Sequence, residues 1–169
     1  MAVTGPEPSI DARITERAAQ PSAAVRVRQP MSSLDLAALF DRSLPAIAGR
    51  LAELGLTPAA PPYGRYHEFG PEWIDVEVGI PVDSRLDLRA LAEVEPGEIG
   101  ASDLPAGQVA ETVHRGPYGT LGETYDALAA WIRGQGRKPG VGPWESYLDN
   151  PAEATDPARL RTEVCWPVS

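Results

Sequence analysis

The residue types best suited to chemistry are concentrated in Pro143-Trp144-Glu145-Ser146-Tyr147-Leu148-Asp149-Asn150-Pro151. As a β-strand this stretch alternates faces, so Glu145 and Tyr147 point one way while Trp144, Ser146 and Leu148 point the other. A carboxylate then shares a face with a phenol in a short segment bounded by prolines. Shielded from water, such a carboxylate gains from meeting a cation, because an unpaired buried charge is expensive. Two chemistries follow: counter-charge for a cationic ligand, or general-base activation of a water within hydrogen-bond reach. The bland alternative is a solvated strand residue, the usual fate of a glutamate.

The elements that must position this pair are written twice. Gly55, Pro58, Pro62, Tyr63 and Tyr66 recur as Gly136, Pro139, Pro143, Trp144 and Tyr147, each 81 positions on. Glu77-Val78-Gly79-Ile80-Pro81-Val82 returns as Glu163-Val164-Cys165-Trp166-Pro167-Val168, 86 positions on, as if the second copy carried five extra residues in its connecting loop. An internal repeat of this kind sets the architecture. The copies differ at one telling place: where the second has Glu145, the first has Gly64. If the two units pack about a pseudo-twofold axis, one half supplies an acid and the other leaves space opposite it.

Residues 1 to 8 read as a disordered lead. From Ser9 to about Arg28 the pattern is strand, break at Gln20-Pro21-Ser22, strand, with Val25 and Val27 alternating against Arg26 and Arg28. Ser32 and Ser33 are plausible helix caps, with Asp35 suited to the positive end. An apolar stripe from Leu36 to Leu54 stops at Gly55, and Pro45 within it should kink the helix or start a new segment. Strands are expected over Pro61 to Phe69 and Trp73 to Val82, then a connector from Leu86 to Gly107 with one strand near Glu95 to Ala101. Gln108 to His114 begins the second unit. Thr120-Leu121-Gly122-Glu123 fits a capping box, followed by a stripe of Leu121, Tyr125, Leu128 and Ile132 that ends at Gly134 and Gly136. Strands over Pro139 to Asp149 and Leu160 to Val168 close the chain, with a short helical turn at Thr155-Asp156-Pro157 between them. The expected fold is α+β: pseudo-twofold duplicated βαββ modules (9–85 and 86–169) in one compact domain, with an antiparallel sheet, two long helices and a central pocket.

Composition narrows the function. In 169 residues, 15 Lys and Arg face 24 Asp and Glu, for a formal charge of -9. That balance argues against direct nucleic-acid binding and favours cationic ligands weakly, since net charge speaks mainly to solubility. No apolar run reaches the length that spans a bilayer, and the N-terminus lacks the basic and apolar regions of a signal peptide, so no membrane association and a cytoplasmic location are expected. One Cys and two His make a structural metal site improbable, and neither metal nor cofactor is expected. Cys165 reads as a small packed hydrophobe.

His114-Arg115-Gly116-Pro117-Tyr118, Tyr125-Asp126-Ala127-Leu128-Ala129-Ala130-Trp131-Ile132, Gly142 through Pro151, and Arg161 through Val168, in that order and spacing, resemble the GyrI-like small-molecule-binding domain. That domain also serves as the effector-binding half of MerR-type and AraC-type multidrug regulators. The resemblance covers nearly the whole chain, and it implies βαββ modules around a pocket for flat, lipophilic, often cationic compounds stacked on aromatics near a buried Glu, here Glu145. Some free-standing relatives hydrolyse cyclopropane rings of DNA-alkylating natural products with a pocket Glu and aromatic neighbours. The stretch before Ser9 is too short for a helix-turn-helix, so a stand-alone form without a fused DNA-binding segment is expected.

The candidate ligand-binding residues are Glu145, Tyr147, Tyr66, Trp131, Trp166, Trp73 and Tyr118, with Glu145 and Tyr147 catalytic if the protein is an enzyme. Tyr66 and Tyr147, the repeat-related pair, are either facing walls or core residues with bonded hydroxyls. Tyr118 is either a lid or a staple of its turn, and Trp131 lies off the main stripe of its helix, free to reach the seam. Trp73 and Trp166 line the pocket or simply pack. Tyr63 and Trp144 read as core, and His114 as an ordinary loop-facing histidine with no nucleophile beside it. Three functions remain open: a binder of bulky aromatic, often cationic, small molecules; a hydrolase; or a module that binds and sequesters a protein partner.

Overall fold

The computed structural model describes residues 10–169, so the lead expected over residues 1 to 8 lies outside the described residues. Eight strands alternate with two helices in the order β1 (Ala12–Arg17), β2 (Gln20–Pro30), α1 (Leu36–Glu53), β3 (Tyr63–Phe69), β4 (Trp73–Pro81), β5 (Gly100–Leu104), β6 (Gly107–Arg115), α2 (Leu121–Gly134), β7 (Trp144–Tyr147) and β8 (Arg161–Pro167). All eight strands join one curled antiparallel sheet, ordered β1-β6-β8-β7-β3-β4-β2-β5. The α+β architecture expected from the repeat is present. The copies β2-α1-β3-β4 and β6-α2-β7-β8 occupy the two halves of that order, and β3 meets β7 in the middle. Two further strands are exchanged. β1 leads into β2 but pairs with β6, and β5 leads into β6 but pairs with β2. Each copy thereby covers the edge that the other's first strand would leave unpaired.

Local chemistry accounts for most boundaries. Both helices end on the glycines singled out from the sequence. Gly55 and Gly136 adopt φ of 72° and 73°, while Leu56 N–H reaches back to Leu51 O at 2.8 Å and Arg137 N–H to Ile132 O at 3.1 Å. Those are paired Schellman closures, which need a left-handed residue that glycine supplies at no steric cost. The helix starts differ from expectation. Asp35, not Ser32 or Ser33, caps α1 by accepting from Ala38 N–H at 3.0 Å. The capping box at α2 does not form, because the Thr120 hydroxyl donates to Pro117 O at 2.9 Å and contacts His114 instead. Pro45 neither breaks α1 nor starts a new segment. It lies on the exposed side, so the carbonyl it leaves without a helical partner belongs to exposed Asp41. The Gln20-Pro21-Ser22 break is the opening of β2, and the connector strand lies at Gly100–Leu104, later than expected, while β7 is shorter than its Pro139 to Asp149 reading.

Alternation along each strand sorts the core into two faces. Towards the helices, Ile47 and Leu51 of α1 pack on Ala23, Val25 and Ile80, Leu39 packs on Ile74, Val76 and Val78, and Leu128 and Ile132 of α2 pack on Ala110 and Val164. On the opposite face Tyr63, Leu104, Val109, Trp144 and Cys165 form a separate cluster, so Tyr63, Trp144 and Cys165 are packed residues as read from the sequence. Several polar groups on that face pair with one another: Tyr63 donates to Glu77 at 2.6 Å and meets Ser22 at 2.7 Å, and Arg13 and Arg17 enclose Glu111, while the buried Trp144 Nε1 meets no hydrogen-bond partner among the described residues. Tyr63 reaches Glu77 by lying across Gly79, its partner in the register, where an added Cβ would stand 2.5 Å from the ring.

Gly79→Ala should therefore destabilise the fold by about 1–3 kcal/mol, since the ring it strikes is buried and held at its hydroxyl. Gly49→Ala should stabilise it by about 0.5–1 kcal/mol, because an added Cβ at that position in α1 meets nothing within 4 Å. Urea unfolding followed by far-UV circular dichroism measures both, and equal effects of the two substitutions would contradict this packing.

Candidate functional site

The seam between the copies is where the unlike residues of the repeat face each other. In the β3–β7 ladder Gly64 stands opposite Glu145, with Tyr63 opposite Ser146 and Arg65 opposite Trp144. Alternation sends Glu145 and Tyr147 to the helix-bearing face. There Glu145 is 5% exposed. Its Oε1 accepts from the Tyr125 hydroxyl of α2 at 2.9 Å and its Oε2 from the Tyr147 hydroxyl at 2.8 Å. Among the described residues no basic side chain forms an ion pair with it, unlike Glu111 and Asp75, which are met by arginines.

The electrostatics follow from that enclosure. Burial raises the Glu145 carboxyl above its ordinary value, and the hydroxyls of Tyr147 and Tyr125, helped by His114, push back without cancelling it. Burial also raises the hydroxyls of Tyr66, Tyr125 and Tyr147, and the Glu145 charge adds to each. These phenols are therefore donors, not phenolates, at neutral pH. Glu77, on the far face, is the contrast: burial raises it too, but bonds from His67, Tyr63 and Ser102 outweigh that and hold it below its ordinary value.

Rings surround the carboxylate. Phe40 of α1 meets Tyr147 edge-on at 5.5 Å and 87°, Tyr118 meets the same ring at 5.8 Å and 73°, and Tyr125 meets Trp166 of β8 at 5.6 Å and 69°. Edge-to-face contacts of this kind fix ring positions as well as burying area. They line an open cleft of about 1790 Å³ between α1, α2 and the seam, larger than the roughly 300–1,000 Å³ of a typical small-molecule site.

Five of the seven residues proposed from sequence are brought together there: Glu145, Tyr147, Tyr66, Tyr118 and Trp166. Two are not among its lining. Trp131 packs against the Leu128 and Ile132 cluster under α2, and Trp73, 38% exposed, lies beneath the Arg28 guanidinium at 4.6 Å. Both depart from the sequence reading for the same reason: an aromatic placed by strand or helix period is claimed first by its nearest apolar or cationic neighbour. His114 differs too. It is buried, with Nδ1 2.6 Å from Thr124 Oγ1 and Nε2 3.1 Å from Pro117 O, and so ties the turn before α2 to β6.

Sequence reasoning passed over Phe40 and Tyr125 as stripe residues. A signal for Tyr125 existed: carried into the helices, the 81-residue shift pairs Ile47 with Leu128 and Leu51 with Ile132, and it sets Tyr125 against Leu44. The second copy thus departs from the first at the acid and at one of the acid's donors together. No cluster of His, Cys, Asp or Glu that could hold a metal occurs among the described residues, and no described helix is long and apolar enough to cross a membrane.

Comparison with known proteins bears on the family and the fold. The GyrI-like small molecule binding domain matches residues 11–169. The chain is similar to the C-terminal domain of EcmrR, with 26% identity and a TM-score of 0.76 over 95% of this chain and 98% of that one. It is also similar to EcmrR in a complex with DNA, with 25% identity and a TM-score of 0.73, where it spans 57% of the longer chain. SAV2435 bound to tetraphenylphosphonium shares the fold, with 14% identity and a TM-score of 0.65 over 95% and 94% of the two chains. No curated protein sequence matches. The chain belongs to the GyrI-like small-molecule-binding domain family.

Proposed function

We propose that the cleft binds bulky aromatic cations, with Glu145 as counter-charge and Tyr66, Tyr147, Tyr118 and Trp166, joined by Phe40 and Tyr125, as the surrounding rings. One observation carries the reading: a carboxylate buried among aromatic faces, held by two hydroxyl donors, and forming no ion pair with a basic side chain among the described residues. Hydroxyls orient the charge without neutralising it, so a ligand's cation gains both the ion pair and the ring faces, about 0.5–2 kcal/mol per cation–π contact. The rim points the same way. Asp41, Asp126, Asp149 and Glu153 line the cleft and, among the described residues, no Lys or Arg does, although Asp149 is engaged by Arg161. Tetraphenylphosphonium, held by a protein of the same fold, has this chemistry. No nucleic acid, membrane or cofactor is needed for this function.

A second reading shares the residue. A carboxyl raised by burial, with phenol donors at both oxygens, has the make-up of an acid–base group, so hydrolysis of an electrophilic strained ring is the alternative.

Calorimetric titration distinguishes charge from shape. Wild type should bind tetraphenylphosphonium in preference to neutral triphenylphosphine oxide, and Glu145→Gln should weaken the cation about tenfold or more while changing the neutral compound less than about threefold. Equal binding of the cation by Glu145→Gln and wild type would exclude the counter-charge role. Cation affinity should also fall as pH drops through the raised Glu145 value, above the ordinary 4.5. The sign for stability is opposite. The unliganded fold holds this proton more tightly than the unfolded chain, so the stability it contributes is full below about 4.5 and is lost as pH rises through the raised value. Glu145→Gln should consequently melt no lower than wild type at pH 7. For the hydrolytic alternative, a cyclopropane-bearing alkylating agent should gain the mass of one water only with Glu145 intact; no gain over buffer rejects that activity for that substrate.

A further inference from the structure

We propose that Gly64 is a positioning residue of the cleft: by carrying no side chain it admits the Tyr147 hydroxyl and the Phe40 ring to the seam, and so sets the preference for cations over neutral aromatics. The inference rests on the cation-binding reading above and adds a residue to it from the opposite strand.

Gly64 lies in β3 directly across the ladder from Glu145. A Cβ built there would stand 2.7 Å from Phe40 Cζ, 2.9 Å from Tyr147 Oη and 3.2 Å from Phe40 Cε1. The first two distances are closer than real side-chain carbons approach, so those atoms would have to move. They are not idle atoms. Tyr147 Oη is the donor to Glu145 Oε2, and the Phe40 ring is the edge-on partner that holds Tyr147 in place.

The backbone gives no reason for glycine at this position. Gly64 is not among the positive-φ glycines, and it sits within a strand, where glycine is weaker than a residue with a side chain. What needs the missing Cβ is the space above it. Gly79, on the other face, has the same character for a different purpose, since there the absent side chain lets Tyr63 reach Glu77. The repeat sharpens the point. Positions 64 and 145 are equivalent and face each other across the seam, so with Glu145 reaching out from one, the other must stay bare for the hydroxyl that orients it.

A methyl group at position 64 drives the Tyr147 hydroxyl away from Glu145 and unseats Phe40. Glu145 then keeps only the Tyr125 donor, and its carboxylate form is less favoured, while the Tyr66 and Trp166 walls, which also serve a neutral ligand, are not struck by the added methyl group.

The test is Gly64→Ala, titrated with tetraphenylphosphonium and triphenylphosphine oxide from pH 4.5 to 8. We expect tetraphenylphosphonium affinity to fall about tenfold and the neutral compound's to change less than about threefold. The pH at which cation binding is half lost should move upward, a readout that a general loosening of the fold would not produce. In a Tyr147→Phe background, where the hydroxyl is already gone, Gly64→Ala should leave the remaining preference unchanged. A Gly64→Ala protein with wild-type preference and pH profile overturns the inference. A wild type with no preference for the cation overturns the cation-binding reading instead. Should Gly64→Ala fail to fold, Phe40→Ala with Gly64→Ala, from which the closest contact has been removed, is compared with Phe40→Ala alone, and an unchanged preference again overturns it.

Discussion

The constraint on which this structure turns is the enclosure of one carboxylate. A glutamate taken out of water must either give up its charge or be compensated, and here compensation comes from two phenol hydroxyls, one on each oxygen. Neutral donors reduce the penalty without supplying a positive charge. The site therefore keeps a residual demand, and that is what the proposed cationic ligand would meet. Where the same chain compensates a carboxylate fully it uses arginine, as at Glu111 and Asp75, or a closed set of hydroxyl and imidazole partners, as at Glu77.

Duplication explains how the demand is built. Two βαββ copies joined through β3 and β7 place equivalent residues opposite one another, so a strictly symmetric seam would carry two acids or none. Two carboxylates at that spacing would repel, and neither would be oriented. The chain departs from symmetry at the pairs that matter: Gly64 against Glu145 and Leu44 against Tyr125. Around them the repeat is kept, with Tyr66 matching Tyr147 and the two Schellman glycines matching each other. The symmetric residues provide the frame and the asymmetric ones provide the charge.

The strand exchange secures that frame. β1 and β5 each cross to the other copy, so neither half closes its own sheet, and the two outer ends of the sheet are each completed by a strand from across the axis. A cleft walled by two helices needs such a base, because α1 and α2 meet the sheet through different core clusters and are held in relation mainly by what lies beneath them.

By itself the sequence determined whatever depends on period and repetition: the α+β class, the duplicated order of elements, the helix stops at Gly55 and Gly136, the packing of Tyr63 and Trp144, and the common face of Glu145 and Tyr147. Local hydrogen-bond competition was less legible, so Asp35 displaced the serines as a cap and Thr120 turned to Pro117 and His114 instead of Glu123. Tertiary structure alone decided which rings reach the carboxylate. Tyr125 and Phe40 arrive from helices distant in the chain, while Trp131 and Trp73 are taken by nearer partners. The physical reason is that alternation assigns a side chain to a face, but only the crossing of helix over strand, and the gap left at Gly64, says what it meets there.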